Sequence, residues 1–104
     1  MIKLAQADVS NKITTLYTVP DGMTAITEST VVINNTKGDL GFSLWIVPGG
    51  SEPTIENALY IDQVIKAHST VTSPVVQVLE NTTSIQIQGS QLGLSIILNG
   101  VEKS

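Results

Sequence analysis

Leu40-Gly41-Phe42-Ser43-Leu44-Trp45-Ile46-Val47 is the stretch whose reading decides the fold class. Leu40, Phe42, Leu44 and Ile46 fall on one side of its alternation, and Gly41, Ser43, Trp45 and Val47 on the other. Successive side chains of an extended chain point to opposite faces, so a period of two marks a strand with one face turned to a core. A helix would need its apolar residues at i, i+3, i+4 and i+7, and no window of the chain shows that stripe with caps.

The same period extends in both directions. Pro48-Gly49-Gly50-Ser51-Glu52-Pro53 opens the longest loop, which reaches about Asn57. Residues 58–66 read as the next strand, with Leu59, Ile61 and Ile65 inward and Tyr60, Asp62 and Lys66 outward. Residues 70–79 give one or two strands interrupted by Pro74, which cannot donate to a ladder and favours an edge. Ser84–Gln88 alternates, and residues 92–98 place Leu92, Leu94, Ile96 and Leu98 inward. Towards the N-terminus, residues 24–34 form a long strand whose period slips near Glu28-Ser29, predicting a bulge. Residues 13–19 form another, closed by Pro20-Asp21-Gly22. Residues 1–10 are expected to be an N-terminal arm. About eight short strands with turn residues between them predict an all-β fold. The expected architecture is a single antiparallel β-sandwich over residues 1–104, jelly-roll or immunoglobulin-like.

Composition agrees. Val, Ile and Thr make up 35 of the 104 residues, and these β-branched side chains favour pleated, half-buried surfaces. Charged residues are 13% of the chain, against roughly 25% in an ordinary soluble domain. Ser, Thr, Asn and Gln must therefore cover what is not core. Such a surface desolvates at little cost because few buried charges need compensation, which predicts permanent assembly with copies of itself or with a larger particle.

Several chemistries are disfavoured. There is no cysteine, which removes disulfides, thiolate metal sites and cysteine nucleophiles. The net charge is −4, and Lys3, Lys12, Lys37, Lys66 and Lys103 are scattered singly with no arginine, so no basic patch for nucleic acid is expected. No apolar leader follows Lys3, and the longest apolar runs are far short of the roughly 20 residues a membrane helix needs. His68 is the one histidine, with no nucleophile motif near it, and reads as a solvent-facing turn residue. Asp8, Asp21, Asp39 and Asp62 do not make a calcium loop. Gly49-Gly50 lacks the context of a phosphate cradle. Neither a catalytic residue, a cofactor nor a metal site is expected, and the chain is not expected to be an enzyme. Asn34-Asn35-Thr36 and Asn81-Thr82-Thr83 match the glycosylation sequon by chance.

The aromatic residues offer the candidate interface. Trp45 and Tyr60 sit at outward positions of their strands. Two readings stand. Trp45 covers the edge of the core or packs on the 48–57 loop; or Trp45 and Tyr60 anchor a subunit interface, where large aromatics are enriched.

Several runs together carry a family resemblance. They are Leu16-Tyr17-Thr18-Val19-Pro20-Asp21-Gly22-Met23-Thr24-Ala25, Val31-Val32-Ile33-Asn34-Asn35-Thr36, Leu44-Trp45-Ile46-Val47-Pro48-Gly49-Gly50, Asn57-Ala58-Leu59-Tyr60, Val78-Leu79-Glu80 and Leu98-Asn99-Gly100-Val101-Glu102. In this order, from about Asp8 to Glu102, the chain resembles small virion proteins of tailed bacteriophages. It departs from them at Asn81-Thr82-Thr83, where a Gly-Asp type hairpin turn is expected. The resemblance implies a β-sandwich on the phage head or tail, homo-oligomeric with a trimer favoured, and partnered by the major capsid protein or other virion proteins. It implies a capsid decoration or cement role, with a tail, neck or fibre module that contacts the host surface as the alternative. It brings no catalytic residues, cofactor, nucleic acid or membrane, and places the protein in the virion after synthesis in the host cytoplasm.

Overall fold

The computed structural model describes residues 2–73 and 76–103. They form nine strands: β1 (Ile2–Val9), β2 (Thr14–Thr18), β3 (Thr24–Asn34), β4 (Leu40–Val47), β5 (Ala58–Ile65), β6 (Thr70–Ser73), β7 (Gln77–Leu79), β8 (Ser84–Gly89) and β9 (Leu94–Lys103). One 3-10 turn, Ile55–Asn57, precedes β5. Pro74, expected to interrupt the strand over 70–79, lies outside the described residues.

All pairings are antiparallel. One sheet runs β1-β9-β3-β6, with β7 also on β3; the other runs β2-β8-β4-β5. β6 pairs Thr30 to Ile33 of β3 and β7 pairs Ala25 to Thr27 of the same strand, so the two share one edge position. Counted that way, two sheets of four strands face each other and the fold is an eight-stranded jelly roll. An immunoglobulin-like sandwich keeps its first two strands in one sheet; here β1 and β2 lie in opposite sheets.

The inner faces build the core. Val32, Leu94, Ile96 and Leu98 of the first sheet meet Leu40, Phe42, Leu44, Ile85 and Ile87 of the second, all buried. Full burial of each such side chain contributes about 1.5–3 kcal/mol. The slip expected in β3 is present. The β3–β9 register shifts between Thr27 and Ser29, leaving Glu28 as the extra residue, and the inward set changes from Ala25 and Thr27 to Thr30, Val32 and Asn34. Gly100 sits opposite Thr27, and a Cβ there would lie 2.2 Å from the Ile26 carbonyl oxygen, so only glycine lets β9 approach the bulge this closely.

Four expectations are corrected, each for a local reason. Residues 2–9 are not an arm but an edge strand along β9; a register shift between Lys3 and Ala5 puts both Leu4 and Ala5 against the core and destroys the alternation that would have announced it. Tyr60 points inward and Ile61 outward, the reverse of the simple alternation. The β4–β5 register shifts between Phe42 and Leu44, with Asp62 at φ +49, so one extra residue of β5 flips the parity beyond it. Leu92 is 72% exposed, because Gly93 at φ +124 turns the chain before β9 begins at Leu94. The residues 81–83 turn is tight without glycine: Thr83 N–H donates to the Glu80 carbonyl and Thr82 takes φ +65.

Asn34, at the end of β3, is 0% exposed and uses its whole hydrogen-bonding capacity. Its Nδ2 donates to the carbonyls of Gly38 at 2.9 Å and Ile65 at 3.0 Å. Its Oδ1 accepts from Thr36 N at 2.9 Å and Thr36 Oγ1 at 2.7 Å. Burial also closes this sequon to any modifying enzyme. Removing the amide orphans several buried groups at about 1–3 kcal/mol each. Asn34→Ala is therefore expected to lower unfolding free energy in urea by about 3 kcal/mol, whereas the exposed Asn35→Ala changes it by less than about 0.5 kcal/mol. Equal effects at the two positions would remove Asn34 as a structural hub.

Candidate functional site

The two sheets present different outer faces. On β2-β8-β4-β5 the outward residues are Thr15, Gln86 and Trp45 in one row, Thr18, Ser84 and Val47 in the next, and Gln88 beside Ser43. Short polar contacts tie them together: Gln86 Nε2 donates to Ser84 Oγ at 3.1 Å, and Gln88 Nε2 to the Asn11 carbonyl at 3.2 Å. Trp45 and Val47 have the outward parity expected of them, yet are only 8% and 1% exposed. The Ile55–Asn57 turn of the long loop lies against β4, and a Cβ on Gly49 would collide with the Thr82 side chain, so this loop is packed down at the β4 end of the sheet.

The face of β1-β9-β3-β6/β7 is aliphatic. Val78, Ile26 and Val101 form one cross-strand row. Thr72, Val31, Ile97 and Gln6 form a second, and Thr70, Ile33, Ser95 and Asp8 a third. Between the first two, Asn99 pairs with Lys3 and Ser29, and its Nδ2 donates to Ser29 Oγ at 3.2 Å. Val78 is 66% exposed, and Ile26, Val31, Ile33, Ile97 and Val101 are half-buried with no described element over them. Sequence reading missed this face. Its signal was there in β3, where Ile26, Val31 and Ile33 put apolar side chains on the outward set as well, which a strand with one wet face does not need.

The candidate anchors Trp45 and Tyr60 are not on this surface. The Tyr60 ring lies 5.5 Å from that of Phe42, and its hydroxyl bonds Ser73 Oγ of β6 in the other sheet. Trp45 is on the outward side of β4 in the other sheet and is 8% exposed.

Hollows on the molecule are open and modest. One of about 210 Å³ is lined by Asn11, Ser43, Asp62, Gln88 and Ser90, where Gly41 leaves room. Another, of about 400 Å³, lies at the end of the aliphatic face between Asp8, Asn35, Leu92 and Ser95. His68 lines neither; it sits in the β5–β6 turn at φ +54, its N–H donating to the Thr36 carbonyl. Among the described residues no three His, Cys, Asp or Glu side chains converge as a metal-ligand set. The perturbed titrating group is Tyr17, whose hydroxyl donates to the Glu102 carboxylate across the β2–β9 side of the sandwich. Burial first, then the bond to Glu102 and its negative charge, hold this phenol proton well above the ordinary tyrosine range.

The fold and surface define a class: a jelly-roll domain with sparsely charged outer faces. No family model matches the chain, and no curated protein does. A solved structure of infectious bursal disease virus, Gx strain, is similar at 16% identity and a TM-score of 0.47, covering 93% of this chain and 31% of that one. The chain thus spans less than a third of the length of that viral chain.

A raised tyrosine pKa makes stability depend on alkaline pH with a definite sign. The contribution is complete below the unfolded tyrosine value of about 10 and is lost as pH rises above it, because the unfolded chain releases the proton first. Tyr17→Phe is expected to cost about 1–2 kcal/mol near neutral pH. The gap between it and the parent should narrow as pH rises past about 10. A gap constant across that window in urea unfolding would contradict the part-buried Tyr17–Glu102 bond.

Proposed function

We propose that this chain is a structural protein of a tailed-phage virion that decorates the capsid and cements it through protein–protein contacts. The observation that carries the reading is a chain of only 13% charged residues whose outer sheet faces are built of aliphatic side chains on one sheet and of hydroxyl and amide groups on the other, the charges of the first face standing at its margins on β1, at the β3 bulge and at the end of β9. Such faces lose little on desolvation and suit burial against other proteins. The jelly roll is an architecture used by viral capsid and lectin domains, which fits the role. The sequence resemblance to small phage virion proteins points the same way. In this reading the protein acts by binding and not by catalysis, resides in the virion, and assembles with its own copies and with the shell.

One observation favours a second reading, a tail or fibre module that touches the host surface. The hollow of about 210 Å³ has hydroxyl, amide and carboxylate walls and suits a polyhydroxyl ligand.

Mass spectrometry of purified virions is expected to find the chain, and virions lacking it should lose their heads at lower heat or osmotic stress until purified protein is added back. Absence from purified virions would refute a structural role. Mutant virions with normal head strength that fail to adsorb to cells would replace the first reading with the second.

A further inference from the structure

We propose that the aliphatic face of the β1-β9-β3-β6/β7 sheet is a self-association surface that takes a second copy of this chain, face to face, about a two-fold axis. The axis lies in the plane of the face, perpendicular to the strands, and passes over the Thr72–Val31–Ile97–Gln6 row. The proposal deepens the virion reading, on which it rests, by naming the partner and the surface.

The choice of occupant comes from the charges along β1. Lys3 and Asp8 both lie on the outward parity of this strand, on the rows of Asn99 and Ser95, with Gln6 between them on the row of Ile97. Lys3 Nζ donates to Gln6 Oε1 at 2.6 Å, which places the two side chains on the same face. Taken as rows, Lys3 is two places to one side of Gln6 and Asp8 two places to the other. A two-fold axis over the Gln6 row therefore sets Lys3 of each copy over the partner's Asp8. Two ion pairs of opposite sign order form, which is the self-complementarity an isologous contact requires.

The same operation treats the apolar groups consistently. Val31 and Ile97 meet their own counterparts on the axis. The Ser29–Asn99 row lies over the partner's Ile33–Ser95 row. The Val78–Ile26–Val101 row reaches past the end of the partner's strands, where Leu92, 72% exposed, rims the hollow of about 400 Å³ beside Asp8 and Ser95. Glu28, the bulged residue of β3, is carried towards the partner's Ile33 and not onto the partner's Glu28.

The facing area is small. About this axis the strands overlap over about seven residues, and four strands at about 4.8 Å spacing with about seven residues at about 3.3 Å give roughly 450 Å² per copy. That total of about 900 Å² approaches the roughly 1,000 Å² of a specific interface, with the Val78 row and Leu92 at its rim and the two Lys3–Asp8 pairs supplying the specificity. Stacked sheets pack about 10 Å apart with strands near 30° to one another, which brings the aliphatic rows into contact. The other sheet does not offer an equivalent face: its outward rows are hydroxyl and amide side chains, and its outward Trp45 and Val47 are already buried.

Sedimentation velocity and light scattering on the full chain test this. The parent is expected to be a dimer at micromolar concentration. Ile97→Lys, which sets two like charges against each other on the axis, should raise the dissociation constant by at least about tenfold with an unchanged circular dichroism spectrum. Asp8→Lys should weaken pairing, and Lys3→Asp combined with Asp8→Lys should restore it, a rescue that a merely destabilised fold would not show. A monomeric parent, a trimer, or a dimer indifferent to all three variants overturns the proposal. Binding to heads separates the two readings: if Ile97→Lys still binds as a monomer, pairing on the head fails while the virion role stands. If the parent dimerises but binds no head, the self-association surface stands and the virion role fails.

Discussion

The fully buried amide of Asn34 is the constraint on which the arrangement of the two sheets depends. Apolar packing holds sheets together but is non-directional and tolerates sliding. Asn34 belongs to β3 in one sheet, and its Nδ2 donates to the Ile65 carbonyl at the end of β5 in the other. The same side chain closes the β3–β4 turn through Gly38 and Thr36, and the Asn34 N–H donates to the Ser69 carbonyl in the β5–β6 turn. One residue thus ties three chain segments at one end of the sandwich. Tyr60 with Ser73 and Tyr17 with Glu102 supply two further polar bridges between sheets. Each joins an edge of one sheet to the other, so the three together fix how the inner faces interdigitate.

The fold class was legible because β4 and β9 alternate without interruption and the turn residues are explicit. The bulge at Glu28 was legible because β3 is long enough to show two phases of one pattern. What was not legible follows from bulges in short strands. In β5 one extra residue at Asp62 exchanges the roles of Tyr60 and Ile61, and nothing local in Ala58–Ile65 announces a positive φ at an aspartate. In β1 the shift between Lys3 and Ala5 removes the alternation altogether. Choosing the jelly roll over the immunoglobulin-like order depended on which strands pair, a long-range property that periodicity does not carry. Trp45 shows a subtler limit: its parity was read correctly, but an outward position in a strand does not fix exposure, which depends on contacts that periodicity does not carry.

The unequal outer faces answer to the same logic. A strand buried on both sides reads as a continuous apolar run, and β3 carries Ala25-Ile26, then Val31-Val32-Ile33, close to that limit. A strand with one wet face reads as β8 does, Ser84-Ile85-Gln86-Ile87-Gln88. The two sheets of one small domain thus follow two different burial rules. In the sheet that contains β8, Gln86 and Gln88 are hydrogen-bonded to neighbours and the outward Trp45 and Val47 are buried. In the sheet that contains β3, the outward Ile26, Val31, Ile33, Ile97 and Val101 are half-buried with no described element over them.

The edges are guarded against further strands. An edge strand exposes unpaired N–H and C=O groups and invites another chain to pair with it. Each edge of this molecule carries a device against that. β1 is bulged near Lys3, β2 has five residues and a register shift between Thr15 and Tyr17, and β5 is bulged at Asp62. The fourth edge is divided between the short β6 and β7. Extending either sheet sideways would need these irregularities to be undone against the core packing that sets them. Backbone pairing is thereby opposed at every edge, and the largest set of outward aliphatic side chains is on the β1-β9-β3-β6/β7 face.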